Sequence, residues 1–438
     1  MTARSLGLDF GTTNTVLAWA HPHRPAEPLV FHFLTSLLFS FRSALCFRDD
    51  GDEHHPHVVT EAGPWAIQQF IESSHECRFI QSLKSFAASR LFETTGIFGR
   101  AYRFEDLFAI FFASLRGHAT PQLEHLPKDL LVGRPVEYAG SRPDPALAMQ
   151  RYEAALGRFG FERVRQVYEP VAAAFFYAQS LEESATVLVA DFGGGTTDFS
   201  VVHFDVGARG LRAEALGHSG VAVAGDRFDY RFIDNVVLPQ LGKGSTYRSV
   251  GKRLELPRSC FASFARWHEL SVMKGSADFR ELKELVVFSD EPELLRRFIR
   301  LVESDQGYTL YKAVSEAKEA LSREESTRFS FRGPGFEIES VVTRAQFEGW
   351  IAEELEAIEA ALERVLTNSS ITDRDVDRVF LTGGSSFVPA VRRIFEKRFG
   401  ADRVESGSEF VSIANGLATI GLREDIDSWI VKPQAAKP

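Results

Sequence analysis

Two stretches of the chain, residues 6–16 (LGLDFGTTNTV) and 187–201 (VLVADFGGGTTDFSV), carry the same order of apolar and polar positions. Each is an apolar run, then Asp and Phe, then a turn of Gly and Thr, then a second apolar run. An apolar strand that turns on glycine and returns as another predicts a β-hairpin, here with an unusually polar tip. The copies lie far apart yet share detailed chemistry, so the simplest architecture is a pair of duplicated α/β lobes that present their hairpin tips to each other.

Each half also holds a strand ending in glycine, residues 129–135 (DLLVGRP) and 378–386 (RVFLTGGSS), followed later by a helix of small residues, 169–177 (EPVAAAFFY) and 413–421 (IANGLATIG). Small residues let helices approach closely, which a hinge between lobes could use. Residues 39–116 read as an insertion of strand-like runs with a polar turn at 49–57, and residues 228–343 as a longer, charged one with helical patterns at 293–302 and 310–321. The clearest helix follows. Thr343 and Gln346 are spaced as a capping box, Phe347, Ile351, Leu355, Ile358 and Leu362 form one apolar stripe, and the opposite face is acidic and reads as solvated.

The chain has 438 residues, more than one compact core normally holds, of which 44% are hydrophobic and 25% charged. Its 38 Phe residues supply large core-filling side chains. A formal charge of -10, with no dominant Lys or Arg cluster, argues against a nucleic-acid partner. Cys46, Cys77 and Cys260 are odd in number and widely spaced, as expected of buried thiols in a reducing cytosol. The N-terminus enters its first apolar run with no secretory leader before it, and the richest apolar stretch, residues 108–115, is too short to span a membrane. A cytoplasmic protein without a membrane partner is expected.

Glycine admits the dihedrals that let backbone N–H groups converge on an anion, and it brings no Cβ to block approach. Gly11, Thr12, Thr13 and Asn14 form one candidate phosphate cradle, and Gly193, Gly194, Gly195, Thr196 and Thr197 another. Face to face they could clamp a polyphosphate. Asp9 and Asp191 at the strand ends would flank Mg²⁺, which keeps several waters and needs only one or two protein carboxylates. Phosphoryl transfer also calls for a Lys, a water-positioning hydroxyl and a further carboxylate; Thr196, Asp198 and Glu169 are suitably placed.

Taken in order, LGLDFGTTNT, EPVAAAFFYA, DFGGGTTDFS and VFLTGGSSFVPAV resemble the phosphate-one, connect-one, phosphate-two and adenosine motifs of DnaK-type heat-shock chaperones. The likeness spans nearly the whole chain and is closest to the short, chaperone-like YegD group. It implies an α/β, actin-like ATPase fold: two duplicated lobes around a nucleotide cleft, a ribonuclease H-like motif in each, and an inserted subdomain in each. Lobe I would comprise residues 1–182, with its insertion at about 39–125, completed by 408–430; lobe II 183–407, with its insertion at about 228–342; and 431–438 a tail. The resemblance implies ATP or ADP with Mg²⁺ as cofactors, Asp9 and Asp191 holding the hydrated metal, Thr12 and Thr13 holding phosphate, and Thr196, Asp198 and Glu169 positioning water and metal. Lys84, in RFIQSLKSFAASRLF, resembles the catalytic lysine. Gly383, Gly384 and Ser385 would approach ribose and adenine, with Gly225, Lys318 and Ser322 among the other nucleotide contacts.

The chain departs from the family where two arginines usually sandwich adenine, offering Glu319 and Phe387 instead; Phe387 could stack on a base through its ring. The family's linker and client-binding domain are not expected in this chain. Three function classes stay open: a chaperone-like protein that slowly hydrolyses ATP and couples nucleotide state to lobe closure, a nucleotide-gated scaffold or assembly protein with a partner surface on residues 228–342, and a small-molecule kinase. His54, His55 and His57 beside Asp52 and Glu53 read as a solvated turn rather than a metal centre.

Overall fold

The computed structural model describes residues 4–51, 57–73, 77–140, 142–207, 210–262, 264, 273, 276–304, 306–407 and 411–432. The chain divides into two compact units, one of Met1–Ala224, Ala357–Ser386 and Val391–Pro438, the other of Gly225–Glu356 and Phe387–Ala390.

The first unit contains two large sheets built on one plan. In the first, strand β1 (Ser5–Phe10) pairs antiparallel with β2 (Asn14–Ala20), which pairs with β3 (Glu27–Pro28); on its other side β1 runs parallel to β4 (Asp129–Arg134) and β4 to β5 (Arg163–Tyr168). In the second, β6 (Ala185–Phe192) pairs antiparallel with β7 (Thr197–Gly207) and β7 with β8 (Gly210–Val221), while β9 (Arg378–Thr382) and β10 (Val404–Ser406) continue in parallel from β6. Both expected hairpins are therefore present, and each is the centre of its sheet. All eight residues of β6 are buried, which explains its near-continuous apolar run: a strand covered on both faces has no polar side to alternate with.

Helices fix these sheets in place. Helix α1 (Phe104–His118) begins with the Asp106 carboxylate accepting from the Arg103 N–H at 3.0 Å. The Asp144 carboxylate caps α2 (Pro145–Gly157) by accepting from the N–H groups of Ala146 and Leu147, both at 3.1 Å. Helices α3 (Glu169–Tyr177) and α4 (Ser412–Ile420) are the two small-residue helices, and they cross over: α3 follows the first sheet but packs on β6 and β7, and α4 follows the second but packs on β1 and β2. They also meet each other, so closely that a Cβ on Gly416 would lie 1.7 Å from the carbonyl oxygen of Ala172. A Cβ on Gly7 would stand 2.5 Å from the Ala414 carbonyl oxygen, so β1 and α4 are in similarly close contact. One core joins Phe10, Phe108, Phe111 and Tyr152 beneath the first sheet; another joins Ala172, Phe175, Val187 and Val189.

The second unit contains the expected helices, at Pro292–Glu303 and Gly307–Arg323. The Thr343 and Gln346 capping box forms, with the Gln346 N–H donating to Thr343 Oγ1 at 3.2 Å and the Thr343 N–H to Gln346 Oε1 at 3.0 Å. The single long helix expected after it is in fact two, Arg344–Trp350 and Ala352–Asn368, separated at Ile351. Its acidic face is not solvated throughout either. Glu354 is 3% exposed and accepts from Arg231 Nε at 2.8 Å, with Arg227 at 3.4 Å. A buried carboxylate is retained where a guanidinium satisfies it, and periodicity alone does not reveal such a partner.

Cys46 and Cys260 are buried as expected and Cys77 is half-buried. The His57 N–H donates to Asp49 Oδ1 at 3.0 Å, whereas Asp52, Glu53, His54, His55 and residues 433–438 lie outside the described residues. Among the described residues no helix is long and apolar enough to cross a membrane.

Candidate active site

The two hairpin tips close in the same way. The Gly11 N–H donates to the Asn14 carbonyl at 2.9 Å, and the Gly193 N–H to the Thr196 carbonyl at 3.0 Å. Thr13 and Gly193 are exposed, while Gly11, Thr12, Asn14, Gly194, Gly195 and Thr196 are half-buried. Thr15 and Thr197, at the starts of the returning strands, turn inward: Thr15 Oγ1 lies 2.9 Å from Ser43 Oγ, and Thr197 Oγ1 donates to the Val223 carbonyl at 2.6 Å. The first tip is braced further by Ser43 Oγ donating to the Gly11 carbonyl at 2.7 Å and Arg42 donating to Asn14 Oδ1 at 3.2 Å.

Asp9 on β1, Asp191 on β6, Asp198 on β7, Glu169 at the first turn of α3 and Lys84 form one electrostatically coupled cluster. Lys84 Nζ donates to Glu169 Oε1 at 2.5 Å, with the two residues only 8% and 4% exposed. Gly133, the next-to-last residue of β4, leaves room for this carboxylate, since a Cβ there would stand 3.0 Å from Glu169 Cγ. Asp198 is held at both oxygens: Oδ1 accepts from the N–H groups of Val136 at 2.7 Å and Glu137 at 3.2 Å, and Oδ2 accepts from Thr196 Oγ1 at 2.7 Å.

Burial pushes the Asp9 carboxyl up to about 7, with the Glu169 charge adding to the effect and Lys84 opposing it. Asp191 is raised well above the ordinary carboxylate range by burial and then by the charges of Glu169, Asp9 and Asp198. Asp198 is pushed to about 7 by burial and Glu169, despite its hydrogen bonds from Thr196, Glu137 and Val136. Around Lys84 burial acts downward, but Glu169 and Asp9 outweigh it and hold the ammonium above its usual value.

Several residues of this neighbourhood escaped the sequence reading. The amides of Val136 and Glu137 carry no side-chain signal at all. Arg151 on α2 is 6% exposed and donates through Nη1 to the carbonyls of Phe86, Ala87 and Ser89 at 2.7, 2.9 and 3.1 Å, and through Nη2 to that of Phe92 at 2.6 Å. It thereby pins the segment that follows Lys84. Arg134 lies over the rings of Tyr138 at 5.0 Å and Tyr168 at 5.3 Å, linking the Asp198-binding loop to the residue that precedes Glu169.

Gly383, expected near the nucleoside, takes φ +85° beside the second hairpin, where a Cβ would fall 2.1 Å from the Phe192 carbonyl oxygen. Nothing lies within 4 Å of a Cβ on Gly384, and Ser385 is buried. Gly225, Lys318, Ser322, Glu319 and Phe387 belong to the second unit. There Lys318 Nζ lies 2.7 Å from Asp229 Oδ1 and donates to the Gly225 carbonyl at 3.5 Å, and Ser322 Oγ donates to the Lys318 carbonyl at 3.1 Å. Beside them burial, then Asp229, pushes the Asp226 carboxyl to about 6. Glu319 is paired with Arg323 at 2.7 Å, and the Phe387 ring is half exposed.

The cluster sets four carboxylates against one ammonium, and three of those carboxylates are held above their usual range, so its chemistry fits a cation. Among the described residues no three His, Cys, Asp or Glu converge as a metal-binding group.

A mixed α/β protein with twin hairpin-centred sheets and a buried carboxylate–lysine cluster is the class this arrangement defines. A family model described as "Hsp70 protein" matches residues 148–244 and 302–422. The chain is 27% identical over 251 residues to the "Stromal 70 kDa heat shock-related protein, chloroplastic" of Pisum sativum, covering 56% of this chain and 28% of that protein. It is also 23% identical over 436 residues to the "Chaperone protein DnaK" of Deinococcus proteolyticus, covering 95% of this chain and 58% of that one. The chain belongs to the Hsp70 family, and with that membership comes the actin-like ATPase fold. It spans less than two thirds of the length of either relative.

Proposed function

We propose that this chain is a chaperone-like protein of the YegD type that binds ATP or ADP with Mg²⁺, hydrolyses ATP slowly, and couples nucleotide state to closure of two duplicated lobes in the cytoplasm. The observation that carries this reading is the gathering of Asp9, Asp191 and Asp198 within reach of the Glu169 charge, itself paired with Lys84, beside two glycine tips of the same closure.

In this reading the backbone and hydroxyls of Gly11–Asn14 and Gly193–Thr197 hold phosphate oxygens, and Asp9 and Asp191 hold the water ligands of the metal. Mg²⁺, when bound, supplies charge neutralisation at the phosphate oxygens. Glu169 orients the Lys84 ammonium, which places a fixed positive charge where the transferred phosphoryl group gains negative charge. Thr196 spends its proton on Asp198, so its oxygen is left as an acceptor that fixes the direction of a water. Gly383, Gly384 and Ser385 would approach the nucleoside in this proposal.

Single-turnover release of phosphate from Mg·ATP, with Asp191→Asn as the control, tests the reading. Release that the substitution abolishes supports it; release that survives the substitution overturns the site. A folded protein that binds ATP without releasing phosphate would favour the second reading, a nucleotide-gated scaffold. That reading draws on the exposed apolar side chains of Val250, Val287 and Phe288 in the second unit, which are 100%, 76% and 55% exposed.

A further inference from the structure

Two tyrosine hydroxyls of the first unit, those of Tyr138 and Tyr152, are buried with no hydrogen-bond partner among the described residues. A buried donor is rarely left unmatched without a reason, and the two differ in their surroundings. Tyr152 sits among the rings of Phe10, Phe104 and Phe108 at centroid distances of 6.1, 5.9 and 5.3 Å, within the apolar core. Tyr138 packs into the same core, but it also directly follows the Val136 and Glu137 amides that hold Asp198. It is 4% exposed, Arg134 covers its ring at 5.0 Å, and the charges of Lys84, Glu169 and Asp198 act on its proton. Burial, the main influence, raises this phenol to about 12, so at neutral pH it keeps its proton and can donate it.

We propose that the Tyr138 hydroxyl is a catalytic hydrogen-bond donor of this site, giving its proton to a hydrogen bond with an oxygen of the terminal phosphoryl group of the bound nucleotide. The inference rests on the ATPase reading above. A donor with no partner among the described residues gives up no bond to them when charge develops on that oxygen, which is the condition under which such groups favour a transition state over a ground state.

The test compares Tyr138→Phe, which removes one oxygen and keeps the ring beneath Arg134, with Tyr152→Phe, the same change in the core. Single-turnover phosphate release from saturating Mg·ATP is expected to fall about 10- to 100-fold in Tyr138→Phe, with ATP affinity within about twofold of the parent and Tyr152→Phe unchanged. The affinity of Mg·ADP-loaded protein for inorganic phosphate should fall about tenfold in Tyr138→Phe alone. Equal release and equal phosphate affinity in Tyr138→Phe and parent would overturn the proposal, as would an equal loss in Tyr152→Phe, which would mark a packing effect. If the parent binds nucleotide but releases no phosphate, the phosphate-affinity comparison decides alone. If the parent binds neither Mg·ATP nor Mg·ADP, the site reading itself fails and takes this inference with it. Should Tyr138→Phe not fold, the Tyr138 ζ-carbon resonance of the parent is read instead: it shifts when phosphate joins Mg·ADP, and no shift refutes the contact.

Discussion

Lys84 Nζ donates to Glu169 Oε1 at 2.5 Å, and its ammonium opposes the upward shift of the half-buried Asp9 and the buried Asp191 carboxyls. Removing one partner of a buried pair leaves the other charge uncompensated. Lys84→Met is expected to cost about 3 kcal/mol of stability in urea unfolding and to abolish single-turnover phosphate release. Because Lys84 lowers both aspartates, the loss should be larger in alkaline than in mildly acidic buffer; equal losses at the two would remove the electrostatic account.

Asp9 and Asp198 titrate near 7 in the folded protein, and Asp191 is also raised, against a usual value of 3.8. Between those values the folded chain binds more protons than the unfolded one, so this contribution to stability is complete below 3.8 and is lost as pH rises through about 7. Raising the pH of the ligand-free protein from about 5 to about 8 should lower its unfolding free energy by on the order of 5 kcal/mol, about half of it from each of Asp9 and Asp198. Mg²⁺ acts in the opposite direction: its binding should strengthen over the same range and release about one proton near neutrality, as read by calorimetry in buffers of different ionisation heat. Proton uptake on binding would contradict the assignment of Asp9 and Asp191 as the metal-facing pair.

Arg151 reaches four carbonyls of the segment after Lys84 without touching the cluster itself, and so acts as a positioning residue. Arg151→Lys keeps the charge but cannot serve so many carbonyls from one planar group. Its expected signature is a turnover number reduced about tenfold with ATP affinity little changed, since misplacement of Lys84 is felt mainly when phosphoryl charge develops. A change confined to affinity would place Arg151 elsewhere in the function.

Gly416 has no room for a methyl group against the Ala172 carbonyl, whereas a Cβ on Gly349, in the helix Arg344–Trp350, meets nothing within 4 Å. Gly416→Ala should therefore destabilise the protein by about 2–3 kcal/mol through forced separation of α3 and α4. Gly349→Ala should stabilise it by about 0.5–1 kcal/mol by restricting the unfolded chain. Thermal unfolding of the two variants checks both signs at once, and a tolerated Gly416→Ala would show that the helices can move apart freely.

What the sequence determined by itself was local and periodic. The paired hairpins, the strands that end in glycine, the small-residue helices and the Thr343 capping box follow from neighbours within a few residues, where dihedral preference, periodicity and cap chemistry act directly. Asp9, Asp191 and Asp198 were legible because they sit at fixed offsets from those glycine turns. Only the tertiary structure decided the rest. It set the crossing by which α3 and α4 each cover the other sheet, the break at Ile351, and the burial of Glu354 beside Arg231. It also brought Lys84 to Glu169 across 85 residues, and brought the Val136 and Glu137 amides to Asp198 with unpartnered Tyr138 beside them. These contacts depend on which surfaces meet after the sheets are covered, and a buried charge or backbone amide chooses its partner only once packing has excluded water from around it.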